Sequence, residues 1–203
     1  MKKDNKNEKR IEDVEILSEK LKNEGYSRKD LTTGSIAANT VAYLYPLPIA
    51  IIYGLIYCLS GNHTIMTDNL DNSFLLFLFF VIVSMVVHEG LHGLTWSCFA
   101  PNGLKDIEFG IAKISPYCYC KACLKYRNYI IGMLMPLFVL GFGLAIVSYF
   151  FNSTVFFLVV IVNIFATSGD ISVVLKMIKN KSNEENTLYH DHPKEAGVIK
   201  FYK

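Results

Sequence analysis

Residues 73–98 read SFLLFLFFVIVSMVVHEGLHGLTWSC, and Glu89 is the only Asp, Glu, Lys or Arg among them. A helix needs about 20 predominantly apolar residues to cross a hydrocarbon core of about 30 Å. The stretch therefore predicts a membrane-spanning helix with two histidines and a glutamate near its end.

Three further apolar stretches, residues 40–59, 129–150 and 154–175, are also long enough to span. The chain of 203 residues is 52% hydrophobic and 19% charged, whereas soluble domains carry about a quarter charged residues. Prolines inside the stretches are tolerable because neighbouring helices satisfy the backbone groups that they free. We predict an all-α integral membrane protein with about four transmembrane helices.

Polar segments flank the apolar stretches and suggest three parts: an arm (1–38), a four-span membrane unit (39–176) and a tail (177–203). In the arm, residues 7–24 place apolar side chains at helical spacing, which predicts an amphipathic helix on the membrane surface or on the protein itself. In the central loop, Ile107, Phe109 and Ile111 alternate with other residues, which is typical of a short strand. We expect Pro116 to end that strand, and a small hairpin to form at the membrane surface.

The basic residues lie in the arm, in the loop 100–128 and after residue 175, whereas loops 61–72 and 152–153 have none. The positive-inside rule then places both termini and the central loop in the cytoplasm of a multi-pass cell-membrane protein. A formal net charge of +2 is too small to indicate nucleic-acid binding.

Five cysteines are present, and no apolar core with a small-residue cleavage site follows the charged start of the chain. We therefore expect no secretory leader, and reduced thiols rather than disulfides. Cys118, Cys120 and Cys123 lie close together in the sequence. They predict either a structural zinc site without an obvious fourth ligand or, more simply, free or lipid-modified cysteines.

The motif His88-Glu89-Gly90-Leu91-His92 carries the chemistry. Two histidines four residues apart share one helix face and can bind one zinc ion, while Glu89 beside them can act as general base on water. Ionisable side chains are costly inside a membrane unless they are paired or bind metal. The alternative is a pair of histidines that only hydrogen-bond to neighbouring helices.

Asp170 is the strongest candidate for a third ligand, because it is the only other carboxylate in an apolar stretch. Counted from the outer ends of two parallel spans, His88 and Asp170 lie about 22 and 26 Å deep. Asn163, two turns outward, can hydrogen-bond a substrate or an oxyanion, or simply another helix. His192 in the tail is an alternative ligand, although a turn explains Asp191-His192-Pro193 equally.

These motifs together resemble a bacterial family of membrane proteins, a domain of unknown function described as putative zincin peptidases. The resemblance extends over residues 84–197 and includes Pro116-Tyr117-Cys118-x-Cys120, Gly169-Asp170 and Asp191-His192-Pro193 beside the His-Glu-x-x-His motif. More distantly, the chain is similar to site-2 proteases. The resemblance implies zinc bound by His88, His92 and Asp170, with Glu89 as base.

The sequence thus predicts a membrane zinc metalloprotease that hydrolyses a peptide or protein substrate in or near the bilayer. Two other functions fit the same residues: a non-proteolytic membrane protein with a structural metal, and a metal-handling transporter. The few other intramembrane charges argue against ion transport.

Overall fold

The computed structural model describes residues 2–32, 42–60, 70–112, 115–151, 153–181 and 186–203. Its five helices within those ranges are α1 (Lys2–Asn23), α2 (Leu47–Leu59), α3 (Leu70–Ser97), α4 (Tyr126–Phe151) and α5 (Thr154–Lys179). Its strands there are β1 (Ser27–Thr32), β2 (Ile107–Ala112), β3 (Ser115–Cys120), β4 (Leu124–Lys125), β5 (Thr187–Asp191) and β6 (Gly197–Tyr202). A 3₁₀ turn, Gly103–Asp106, precedes β2.

Three helices are long and apolar enough to cross a membrane: Ser73–Ser97 within α3, and the whole of α4 and α5. The prediction of a membrane protein is confirmed to that extent. The first predicted span, residues 40–59, is an apolar helix only over the 13 residues of α2, which is about 20 Å. Residues 40 and 41 lie outside the described ranges. The predicted count of four spans is therefore not confirmed.

Two of the spanning helices are irregular. In α4, Pro136 is followed by a π-helical segment, Leu137–Gly143, as expected where a proline removes a helical hydrogen bond. In α5 a single residue, Thr167, interrupts the helix, and its hydroxyl donates to the Ile164 carbonyl over 2.8 Å. The irregularity in α5 lies one turn before Asp170.

Strands of the arm, the tail and the central loop form one antiparallel sheet with strand order β1-β6-β5-β4. Strand β6 is its centre, pairing with β1 on one side and with β5 on the other. The predicted amphipathic helix α1 packs on this sheet, where Val14 and Leu21 contact Ile199 and Phe201. The sequence predicted this helix either on the membrane surface or on the protein itself, and the structure shows it on the protein. The fold is mostly helical, but the expectation of an all-α fold is corrected by this sheet, whose strands were not predicted.

The predicted hairpin is present as β2 paired with β3, with Phe109 opposite Cys118. Pro116 does not end the strand, as the sequence suggested, but lies within β3 opposite Ile111. In an antiparallel pair, alternate residues direct their backbone groups away from the partner strand. The N–H of Cys120 binds Asp191 outside the hairpin, so Pro116, four residues earlier, also faces outward. A proline there removes no ladder hydrogen bond.

The hairpin lies along the spanning helix α3. A Cβ atom on Gly93 would be 2.3 Å from Phe109 and 2.8 Å from Ile107, so only glycine permits this approach. At the other end of the hairpin, Ser115 and Pro116 line one cavity together with Ser84 of α3. Strand β3 therefore runs beside the turn of α3 that carries the His-Glu-x-x-His motif.

Candidate metal centre

The two motif histidines occupy one face of α3, as their spacing predicts. Both are buried, with 8% of His88 and 4% of His92 exposed. Their Nε2 atoms lie 3.2 Å apart. Two imidazole nitrogens at this separation can supply two ligands to one metal ion.

Asp170 of α5 completes the cluster. Its Oδ2 atom lies 3.2 Å from Nε2 of His88, and its Oδ1 atom lies 3.5 Å from Nε2 of His92. Ligand atoms of the three residues all lie within 4.8 Å of one another, and the described part of the chain has no other such group. The equal depth expected for His88 and Asp170 is thus matched by direct contact.

The cluster fits a zinc ion. Zinc bonds to imidazole nitrogen and carboxylate oxygen of about 2.1 Å in a tetrahedron separate the ligand atoms by about 3.4 Å. The two imidazole nitrogens lie 3.2 Å apart, and the Asp170 carboxylate approaches them through different oxygens, at 3.2 Å from His88 and 3.5 Å from His92. Two histidines and one carboxylate also leave a position for water or substrate, as catalytic zinc sites require. The donor set and its spacing therefore suit a catalytic metal.

The surroundings of His92 orient its ring. Its Nδ1 atom donates to the backbone carbonyl of Gly132 over 2.9 Å; because a carbonyl only accepts, Nδ1 carries the proton and the Nε2 lone pair faces the cluster. Trp96 stacks on the imidazole at 5.2 Å. A Cβ on Gly132 would lie 2.1 Å from the Trp96 ring, so glycine is required there.

Glu89 is half-buried beside the cluster and faces two cavities. One, of about 150 Å³, lies between α3, α5 and the start of β3. The other, of about 220 Å³, lies towards the sheet and is also lined by His92 and Asp170. The backbone N–H of Cys118 in β3 is directed towards the Glu89 carboxylate. This position gives the carboxylate access to water and to a ligand lying along β3.

Two other predicted site residues lie close to the cluster but outside it. Asn163 is 2% exposed and lines the smaller cavity with His88 and Glu89, while its side-chain amide donates to the Val159 carbonyl over 2.8 Å. His192 lines the larger cavity. Its Nδ1 atom accepts the backbone N–H of Glu195 over 2.9 Å, which is the turn that the sequence offered as the alternative to metal binding.

None of the five cysteines forms a disulfide bond in the structure. Cys118, Cys120 and Cys123 belong to no close group of three metal-binding side chains within the described residues, so the structural zinc site is not supported. Burial raises the pKa of the Cys120 and Cys123 thiols to about 12. It raises the pKa of Cys118 as well.

Sequence reasoning missed Asp191, which is 7% exposed. Its Oδ2 atom accepts the backbone N–H of Cys120 over 2.6 Å, and its Oδ1 atom accepts the hydroxyl of Tyr129. Burial raises the pKa of the Asp191 carboxyl, and these two hydrogen bonds oppose that shift. The signal available in the sequence was its place before His192 and Pro193, but that pattern indicates a turn rather than a buried carboxylate.

A family model described as "Putative zincin peptidase" matches residues 81–184. That range contains both motif histidines, Glu89 and Asp170. No curated protein and no solved structure matches the chain significantly.

Proposed function

Since this chain belongs to the putative zincin peptidase family, we propose that it is a membrane-embedded zinc metalloprotease. The observation that carries the proposal is the cluster of His88, His92 and Asp170, whose ligand atoms lie within 4.8 Å, with Glu89 beside it. Zinc, when bound, supplies the Lewis acid that activates water towards a carbonyl carbon.

The residues of the chain then have separate tasks. His88, His92 and Asp170 hold the metal, and Gly132 orients His92 through its carbonyl. Glu89 takes the proton of the attacking water and transfers it to the leaving amine, as a general base and then acid. Its location between two cavities suits this task, because water and substrate must both reach it.

Strand β3 is the proposed binding edge for the substrate. Residues of β3 line both cavities together with Glu89. The backbone carbonyls of Pro116 and Cys118 face away from β2 and can accept hydrogen bonds from an added extended strand. The smaller cavity reaches Ser115 and Pro116, and the larger one reaches Cys118 and Tyr119, so a bound peptide would pass the cluster along β3.

The proposed substrate is a peptide or protein in or next to the bilayer, with Asn163 as a hydrogen-bonding residue in the smaller cavity. Helical backbone is already hydrogen-bonded internally, so the segment has to be extended before cleavage. We place the site towards the cytoplasm of the cell membrane, with both termini on that side, on the basis of the Lys and Arg distribution.

Exchange of Glu89 tests the proposal against a purely structural metal. The purified protein in detergent is assayed for zinc and for cleavage of fluorescently labelled casein. We expect Glu89→Gln to retain zinc and to lower cleavage by about 100-fold or more, the range for loss of a general base. Chelation should abolish cleavage and added zinc should restore it.

A Glu89→Gln variant with zinc and with undiminished cleavage would refute the proposed mechanism. Zinc bound by a wild type that cleaves nothing would favour the structural role. Zinc flux into vesicles that stops in His88→Ala would favour the transporter.

A further inference from the structure

Asp191 is a buried carboxylate at the junction of three elements outside the metal cluster. It is the last residue of β5, it accepts the Cys120 N–H of β3 over 2.6 Å, and it accepts the Tyr129 hydroxyl of α4. It also lines the larger cavity together with Glu89. A buried carboxylate is costly unless it is hydrogen-bonded, and here a separate donor satisfies each oxygen.

Its bond to Cys120 fixes the register of β3 at the site. Residues 118 and 120 direct their backbone groups to the same side of the strand, because that direction alternates. Cys120 N–H binds Asp191, and Cys118 N–H is directed towards the Glu89 carboxylate. Two residues of strand span about 6.7 Å, so Asp191 and Glu89 face neighbouring backbone N–H groups on the same edge of β3.

Its bond to Tyr129 reaches the histidine side of the site. Tyr129 is fully buried, and its backbone carbonyl accepts the indole N–H of Trp96 over 3.1 Å. Trp96 stacks on His92. One carboxylate therefore connects the strand beside Glu89 to the aromatic group that supports a proposed ligand.

We infer that Asp191 is a positioning residue: it holds β3 against α4 and thereby fixes the Cys118 backbone beside Glu89 and the binding edge beside the metal cluster. The inference rests on the proposed function for its catalytic consequence. In this role Asp191 binds neither the metal nor the substrate.

The test uses the full-length protein with Asp191→Asn and Tyr129→Phe, and with Asp30→Asn as control. Asn keeps the shape of Asp191 but removes its charge, so the hydrogen bonds with Cys120 and Tyr129 become neutral and weaker. Tyr129→Phe removes only the bond to α4, which keeps the test decisive if Asp191→Asn does not fold. Asp30 is a carboxylate of β1 in the same sheet, paired with Arg28 at 2.9 Å.

Three quantities are measured: bound zinc, kcat and KM for labelled casein, and the rate of Cys118 modification by N-ethylmaleimide, resolved by peptide mass spectrometry. For both site variants we expect wild-type zinc and a kcat lowered about 10- to 100-fold, as for partners that orient a catalytic group. KM should change little by comparison. Cys118 should be modified several-fold faster, because the attachment of β3 to α4 is weakened, whereas exposed Cys98 should not change.

Unchanged Cys118 modification in both folded variants would overturn the inference. So would a loss of zinc that accounts for the loss of kcat, because Asp191 would then act through the metal. If the wild type binds zinc but does not cleave casein, the protease proposal is in question, and the modification rate still decides whether Asp191 anchors β3.

Discussion

The Nδ1 atom of His92 donates a hydrogen bond of 2.9 Å to the backbone carbonyl of Gly132, a residue of a different spanning helix. This bond leaves Nε2 of His92 facing Asp170 at 3.5 Å. The orientation of a proposed ligand therefore depends on a glycine outside the His-Glu-x-x-His motif.

We predict that Gly132→Ala disrupts the site and that Gly90→Ala does not. A Cβ at residue 132 would lie 2.1 Å from Trp96, which is 3% exposed and cannot move away, whereas a Cβ at residue 90 meets nothing within 4 Å. Overpacking should lower the stability of Gly132→Ala by about 1–3 kcal/mol, and a misplaced His92 should weaken zinc binding about 10- to 100-fold.

Unfolding in SDS and competition with a zinc chelator measure the two effects. Gly90→Ala serves as the matched control, since it lies between the two histidines yet has open space around it. Equal zinc affinity in the two variants would contradict the role given to Gly132.

The cluster itself predicts which single exchanges remove the metal. His88→Ala, His92→Ala and Asp170→Ala should each weaken zinc binding by more than about 100-fold, beyond the effect of losing a residue that only orients a ligand. Asn163→Ala is the control, because Asn163 lines the cavity beside His88 but is not one of the clustered ligands. Metal analysis of the purified variants measures this. If Asp170→Ala bound as much zinc as the wild type, Asp170 would be excluded as a ligand.

Local sequence signals were sufficient for the helical part of the site. The hydropathy of residues 73–98 predicts one helix, the spacing of His88 and His92 predicts a shared face, and counting residues from the outer boundary predicts that Asp170 lies at their level. Each of these inferences uses only the pitch of a helix and the thickness of a bilayer. The structure brings the three side chains together as expected.

The sheet could not be predicted in the same way. Strand β6 is covered on both faces: Ile199 and Phe201 pack towards α1, while Val198 belongs to the cluster that includes residues of α4 and α5. Burial on both faces removes the alternation that identifies a strand. Its partner β1 is also at the opposite end of the sequence, so the role of Asp191 became visible only with the fold.

Arg10 connects α1 to the hairpin, and we predict that this contact contributes strongly to stability. Its guanidinium binds Glu108 and the Tyr117 hydroxyl and lies 4.4 Å from the Tyr119 ring centre. Arg10→Met should lower the free energy of unfolding by about 1.5–3 kcal/mol, the range for hydrogen bonds to charged groups. Its side chain is 11% exposed, so solvent screens the interaction only weakly.

Arg28→Met is the matched control, because Arg28 also joins α1 to another element through Glu15, but at side-chain exposures of 28% and 59%. Exposed pairs contribute about 0.2–1 kcal/mol. A double-mutant cycle with Glu108→Gln would isolate the coupling of Arg10. Equal destabilisation by Arg10→Met and Arg28→Met would show that burial of the Arg10–Glu108 pair does not increase its contribution to stability.

The buried thiols predict a loss of stability in alkaline solution. Folding raises the pKa of Cys120 and Cys123 to about 12, compared with about 8.5 for an unfolded cysteine. Above pH of about 8.5 the unfolded chain therefore binds fewer protons than the folded one, so the free energy of unfolding falls as the pH rises. The limiting slope is about 1.4 kcal/mol per pH unit for each thiol.

Comparing wild type with a Cys120→Ala/Cys123→Ala variant by SDS unfolding at pH 7.5 and pH 9.5 isolates this contribution from other groups. The double variant should lose less stability than the wild type between pH 7.5 and pH 9.5. The exposed-thiol control Cys98→Ala should lose as much stability as the wild type. Equal losses in all three proteins would show that the two thiols are not protected by burial.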